Sequence, residues 1–292
     1  MELTRQQIES LPGYKKKTSK EYSSACPECG GTDRFCFWPD TGNYWCRQCG
    51  AKGFVTENNY AWTPEERERY LAEAAARAEQ ERQAKQTALE EMSAQVHIAS
   101  QYHEAMTDRS YWYGQGLSDE TINHYQLGYC PACPTYLASP SHTIPVYFKN
   151  KLLNIRHRLA QPPSPGDKYR PHRAGLPAVM FNADILLTAQ AYVVLVEGEV
   201  KTMVLSQYLF PTVGVPGANI FPDRWVKWFG NQSRVYITFD PGAEAHARDI
   251  ALMLGDKARI VSCPVKPDDF FVLYKGTPDD FCEYLKQGRV VR

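Results

Sequence analysis

The sequence predicts an α/β chain in four parts: a small β-rich module organised by a metal, a long helix, a mixed α+β segment, and a parallel sheet covered by helices. Two observations carry this. Four cysteines form paired knuckles, Cys26-Pro-Glu-Cys29 and Cys46-Arg-Gln-Cys49, with sixteen residues between the pairs. Far downstream, short apolar strands alternate with helical stretches and end in acidic residues, the pattern of a parallel sheet whose functional groups gather at strand C-termini.

The first part covers residues 1–58. A short helix from Thr4 to about Ser10 precedes two aromatic strands, Arg34-Phe-Cys-Phe-Trp38 and Asn43-Tyr-Trp-Cys46, joined by the turn Pro39-Asp-Thr-Gly42. Four soft thiolates on two tight turns suit tetrahedral zinc, and four protein ligands leave no place for a reacting water, so Cys26, Cys29, Cys46 and Cys49 are expected to hold structural Zn2+. A module this small cannot bury enough apolar surface alone, so the metal must supply much of its folding free energy. Cys36, between the knuckles, reads as a packed thiol. Phe37, Trp38, Tyr44 and Trp45 serve equally as a miniature core or as stacking surfaces for single-stranded bases, with Arg34 and Arg47 on phosphates.

Residues 59–106 read as a helical linker, one long helix to about Met106 with Thr63 as N-cap, Pro64 at the first helical position and Glu65-Glu66 in the first turn. Its middle, AEAAARAEQERQAKQ, carries almost no bulky apolar residue and is expected to be a solvated spacer. The third part, 107–188, contains a short helix capped by Ser118 and a hairpin, His142–Phe148 and Leu152–Arg158, that feeds the Pro-rich loop Gln161–Pro165. From His142 to Arg173 seven Lys and Arg face a single acid, Asp167. Arg156 and Arg158 alternate onto one strand face, and Lys168-Tyr169-Arg170 interleaves an aromatic with cations, both suited to phosphates. A solvated loop surface is the plainer reading.

The last part, 189–292, has strands Tyr192–Glu197, Thr212–Val215, Arg234–Asp240 and Ala258–Ser262, with helices near Val200–Leu209, Asp223–Phe229 and Ala243–Leu254. Glu197, Asp240 and a loop carrying Asp268 and Asp269 fall at or past strand ends, where gathered carboxylates suit a hard divalent ion and phosphoryl chemistry. Any one of these acids alone could simply cap a helix.

The bulk numbers exclude less. Thirty-three basic residues balance thirty-three acidic ones, which argues against a uniformly basic binder but not against a local basic groove. An odd cysteine count in a 292-residue chain, no leader-like N-terminus and no span-length apolar run lead us to expect a soluble cytoplasmic protein with no membrane partner. Cys130-Pro-Ala-Cys133 lacks both a second pair and a thioredoxin-like context, and there is no Walker A loop.

Taken together these motifs resemble a compact bacterial or phage primase of the DnaG type, a family of zinc ribbon, linker, primase core and TOPRIM domain. The resemblance rests on Cys26-Pro through Trp45-Cys-Arg-Gln-Cys-Gly50, on Tyr113-Gly-Gln-Gly-Leu-Ser-Asp-Glu-Thr-Ile122 with Leu127-Gly-Tyr129, on Ile144-Pro145, Arg156–Arg158 and Lys168-Tyr169, and on Val196-Glu197-Gly198, Phe239-Asp240 and Lys266-Pro-Asp-Asp-Phe270. It implies domains at 1–58, 59–106, 107–188 and 189–292, and no helicase-binding domain. It further implies synthesis of short RNA primers from ribonucleoside triphosphates on single-stranded DNA, alongside a separate replicative helicase and in a phage or mobile-element setting. In that frame Glu197 is an acid/base or metal-site carboxylate, and Asp240 and Asp268, with Asp269, hold Mg2+ or Mn2+. Arg156, Arg158, Lys168, Tyr169, Arg170, Lys201 and Lys266 meet nucleotide or nucleic acid, and Arg34, Trp45 and Arg47 meet the template. One departure stands out: Gly242 occupies the position of the second acid of the family's DxD motif, and Glu244 is the residue that would compensate. A TOPRIM phosphodiesterase or nuclease, and a DNA-binding accessory protein without catalysis, are the competing readings.

Overall fold

The computed structural model describes residues 3–55, 64–135, 137–164, 167–217 and 219–291. The chain forms two compact units, Met1–Gln80 and Glu81–Arg292. The expected N-cap Thr63 and the expected boundary near residue 58 lie outside the described residues, as does Pro165 at the end of the Pro-rich loop.

The first unit opens with helix α1 (Arg5–Glu9), closed by a reciprocal capping box between Thr4 and Gln7. Five antiparallel strands follow in chain order, β1 (Lys15–Lys16), β2 (Tyr22–Cys26), β3 (Gly30–Trp38), β4 (Asn43–Cys46) and β5 (Lys52–Phe54). Phe35, Phe37 and Tyr44 turn inward onto Ile8 and Val55, while Trp45 stands 43% exposed, so the alternation divides the aromatics between core and surface.

Helix α2 (Pro64–Ala94) is exposed at every residue from Glu68 to Thr87 except Ala74, as its Ala/Glu/Arg composition requires. The helix expected to continue to residue 106 instead breaks at Gln95 and resumes as α3 (Val96–Glu104). The reason is packing. Met92 and Ala99 are buried against Leu152 and Ile155, Ser93 Oγ donates to the Leu152 carbonyl at 3.0 Å, and Arg173 pairs with Glu91 at 2.6 Å.

Helices α4 (Ser110–Gly114) and α5 (Asp119–His124, capped by Ser118) lead into an antiparallel sheet of β6 (Gly128–Cys130), β7 (Ser141–Phe148), β8 (Lys151–Leu159) and β9 (Tyr169–Pro171). The β7–β8 turn places Lys149 and Asn150 at φ 50° and 60°, the geometry of a two-residue hairpin. The second sheet is parallel, in the order β11 (Thr212–Val215), β10 (Val193–Glu197), β12 (Val235–Ile237) and β13 (Ala258–Ile260). Both faces are covered. Val194 and Val196 face Met203, Val204 and Leu205 of α6 (Glu199–Gln207), while Val193 and Leu195 face Ala247, Ile250 and Ala251 of α7 (Glu244–Leu254). The segment expected to be a loop around Asp268 is helix α8 (Pro267–Val272), with Pro at its start and Asp268 and Asp269 in its first turn, and α9 (Pro278–Lys286) follows. Among the described residues no helix is long and apolar enough to cross a membrane.

Candidate functional site

The four knuckle sulfurs lie within 4.8 Å of one another, with Cys26 Sγ 3.7 Å from Cys49 Sγ and Cys29 Sγ 3.6 Å from Cys46 Sγ. A tetrahedron of thiolates at ordinary Zn–S length has edges of about 3.8 Å, so the cluster has the dimensions of a structural zinc site. The two knuckles hang on the ends of β2 and β4, which is why both are aimed at one point. Burial would push the Cys46 thiol up, but amide donation from Cys49 and Gln48 outweighs it and brings the group down to about 6, while Cys49, despite donation from the Ala51 amide, is pushed up to about 12 by burial and the neighbouring thiols. Arg47 pairs with Glu21 at 2.9 Å, and Cys36 is buried, its thiol pushed up chiefly by that burial.

In the second unit the C-terminal edge of the parallel sheet assembles an acidic group. Glu197 ends β10, two residues beyond the register pair Leu195–Ile237, and Asp240 lies three residues beyond Ile237. Gly198, at φ 87° and with open space where a Cβ would stand, turns the chain from β10 into α6. The next residues carry two charges inward. Glu199 is 5% exposed and meets Arg156 Nε at 2.6 Å, and Lys201, 14% exposed, places Nζ 3.1 Å from Asp240 Oδ1. Asp268, at the start of α8, feels the charges of Lys201, Asp269 and Asp240; burial chiefly, then those two acids, raises its carboxyl, while Lys201 opposes the rise. Burial likewise raises Glu199 against the lowering influence of Arg156 and Lys201.

One oxygen in this group is orphaned: Asp268 Oδ1 is buried and accepts no hydrogen bond, whereas Asp240 Oδ1, also buried, has the Lys201 ammonium as its partner. A buried carboxylate oxygen without a donor, near enough to a second carboxylate to feel its charge, is the chemistry that a divalent cation satisfies, so the residues present fit a magnesium-type ion.

Facing this edge is β8. Arg156 and Arg158 share one face of the strand, with buried His157 on the other. Arg158 Nε donates to Tyr111 Oη at 3.0 Å and its guanidinium lies 5.1 Å from the Tyr169 ring centroid. Tyr169 is pushed up by burial and by the nearby charge of Glu199, which places β9 beside the acidic group as well.

The structure thus gathers Arg156, Arg158, Tyr169, Lys201, Asp240, Asp268 and Asp269. Other expected residues have no side-chain bond that ties them to this group. The Glu197 side chain makes no hydrogen bond or ion pair among the described residues, Lys168 and Lys266 are exposed, and Arg170 pairs with Asp167. Glu244 Oε1 accepts from the Gly242 amide at 2.9 Å, a local cap at the start of α7 that holds its carboxyl below the usual range. Glu199 and Tyr111 are the residues that sequence reasoning missed. The one available signal was a second acid immediately after Glu197-Gly198, too many carboxylates for a single helix start.

A family model described as the zinc-binding domain of primase-helicase matches residues 21–54. No curated protein matches the chain in sequence. Among solved structures, the zinc-binding and RNA polymerase domains of Aquifex aeolicus primase superpose with a TM-score of 0.56 at 16% identity, covering 94% of this chain and 80% of that one. A DnaG primase catalytic domain bound to ssDNA gives 0.56 at 15% identity, over 70% and 80%. The primase fragment of the bacteriophage T7 primase-helicase gives 0.50 at 14% identity, over 91% and 99%. The chain therefore has the fold of DnaG-type primase cores, with a four-cysteine ribbon and a TOPRIM-like parallel sheet.

Proposed function

We propose that the chain is a primase: a metal-dependent nucleotidyltransferase that joins ribonucleoside triphosphates into short RNA on a single-stranded DNA template. The observation that carries this reading is the ion pair between Arg156 and Glu199. It ties the cationic strand β8 to the helix that also bears Lys201, so phosphate-binding groups and the carboxylates Asp240 and Asp268 belong to one site.

Each residue then has a task. Asp240 and Asp268, with Asp269, would hold Mg2+ or Mn2+, which when bound supplies positive charge to the reacting phosphate and hydroxyl oxygens. Glu197, at the strand end and with no side-chain partner among the described residues, would take a proton from the primer hydroxyl. Arg156, held at Nε by Glu199, and Arg158, held at Nε by Tyr111, keep their guanidinium planes fixed for phosphates, so binding costs less side-chain entropy than with free lysines. Tyr169, Lys168 and Arg170 extend the same surface, and Lys201 and Lys266 add cations around the triphosphate. In the ribbon, exposed Trp45 with Arg34 and Arg47 would meet the template, while zinc stays structural. The segment boundaries 58, 106 and 188 mark the working parts under this reading, and a separate helicase would be the partner in replication.

The DnaG-fold match to a catalytic domain whose structure was solved with ssDNA supports the substrate class. The test is incubation of the full chain with single-stranded templates, ribonucleoside triphosphates and Mg2+ or Mn2+. Template-dependent short RNA that disappears in Asp240→Asn supports primase action. Strand cleavage instead would favour hydrolysis by the same acids, and binding with neither product would leave an accessory role.

A further inference from the structure

Lys201 has an unusual position for a nucleotide-binding lysine. It is the third residue of α6, on the turn that Gly198 opens, and its side chain is largely withdrawn from water. Its ammonium lies 3.1 Å from Asp240 Oδ1, a buried oxygen with no other donor among the described residues. Its field also reaches Asp268 and Glu199. Arg156 cannot take that part, because its Nε is already committed to Glu199. A lysine suits a movable role: its point charge sits on four rotatable bonds, whereas a guanidinium gripped at Nε is fixed.

We propose that Lys201 is a built-in competitor for the divalent ion: it occupies Asp240 in the ion-free protein and must withdraw before an ion can take that oxygen. An ammonium and a divalent cation repel strongly at contact distance, and one carboxylate oxygen buried on this side cannot serve both. The ammonium released by ion binding is then free for an anionic substrate, so ion and phosphate binding favour each other. The inference rests on the reading of this acidic group as a divalent-ion site, and goes beyond it in making ion affinity a property that Lys201 sets.

The test is Mn2+ binding to the full, zinc-loaded chain, read by loss of the free-ion electron paramagnetic resonance signal in wild type, Lys201→Met and Asp240→Asn. Removing the competitor should tighten Mn2+ binding by roughly tenfold, the scale of a hydrogen bond to a charged group, while Asp240→Asn loses it. Unchanged or weaker binding in Lys201→Met, with Asp240→Asn still defective, overturns the competitor role and leaves the ion site standing. Absence of Mn2+ binding to both wild type and Lys201→Met overturns the ion site together with it. A second measurement needs no variant protein in the titration: in reductively 13C-methylated wild type, the Lys201 signal, identified by its loss in Lys201→Arg, should shift as Mg2+ is added. A signal that stays put through Mg2+ saturation also overturns the role.

Discussion

A carboxylate only 5% exposed is tolerated when a cation stays with it, and Glu199 meets that condition through Arg156. Removing one partner leaves the other charge stranded. Arg156 keeps 23% of its side chain exposed and can turn toward water, so Glu199→Ala should cost about 2 kcal/mol, less than for a fully enclosed pair. Urea unfolding checks this, and the double variant Glu199→Met/Arg156→Met should recover part of the loss. Glu199→Ala should also weaken triphosphate binding, because Arg156 loses the contact that fixes its plane. A different residue governs the acid limb. His157 is fully buried between Ser141 Oγ at 2.9 Å and His172 Nδ1 at 3.0 Å, and burial, helped by His172, brings it down to about 4. Its folded value lies below its unfolded one, so the stability it contributes is complete above pH 6.5 and is lost as the pH falls toward 4. Thermal melts across that window should show a shallower decline for His157→Gln than for wild type, by up to roughly 3 kcal/mol at the acid end.

At the scale of elements, the ribbon is where sequence and structure lie closest. Its ligand spacing is local, and two CxxC knuckles at the ends of β2 and β4, strands that both pair with β3, bring four sulfurs together whatever the rest of the chain does. Its own apolar core is little more than Ile8, Phe35, Phe37, Tyr44 and Val55. Cys29→Ser, or a strong chelator, should therefore unfold β2 to β5, seen as loss of dispersed amide signals from residues 22–54 alongside zinc release. Helix α8 stands where a loop is expected, although its signature is local: Lys266-Pro-Asp-Asp carries Pro at the start and acids in the first turn, as the start of α2 does. The Glu199–Arg156 pair was not readable in this way. Its partners sit 43 positions apart, one on strand β8 and the other at the start of helix α6, and no local periodicity encodes a contact that only tertiary packing makes. The break at Gln95 has the same origin, since Met92 and Ala99 must reach Leu152 and Ile155.

Over the whole molecule, a formal charge of zero means that attraction to nucleic acid comes from placement of charge and not from its total. Affinity for single-stranded DNA should fall with salt, and if Arg158 and Lys168 each meet one phosphate, replacing either by Ala should flatten the slope of log K against log salt by about 0.7. Fluorescence anisotropy across a salt series measures it; identical slopes would remove those two residues from the interface. The turn at Gly242 sets a limit of another kind. The space beside its α-carbon is open, so an aspartate would fit there sterically, yet φ of 96° is a backbone state that side-chain-bearing residues adopt only at a cost of about 1–2 kcal/mol. The amide at that position also anchors Glu244. An aspartate introduced there would thus have to reshape the main chain before it could act as a ligand, so descent from or return to a richer acidic set would have required linked changes around the turn and not a single exchange of side chain.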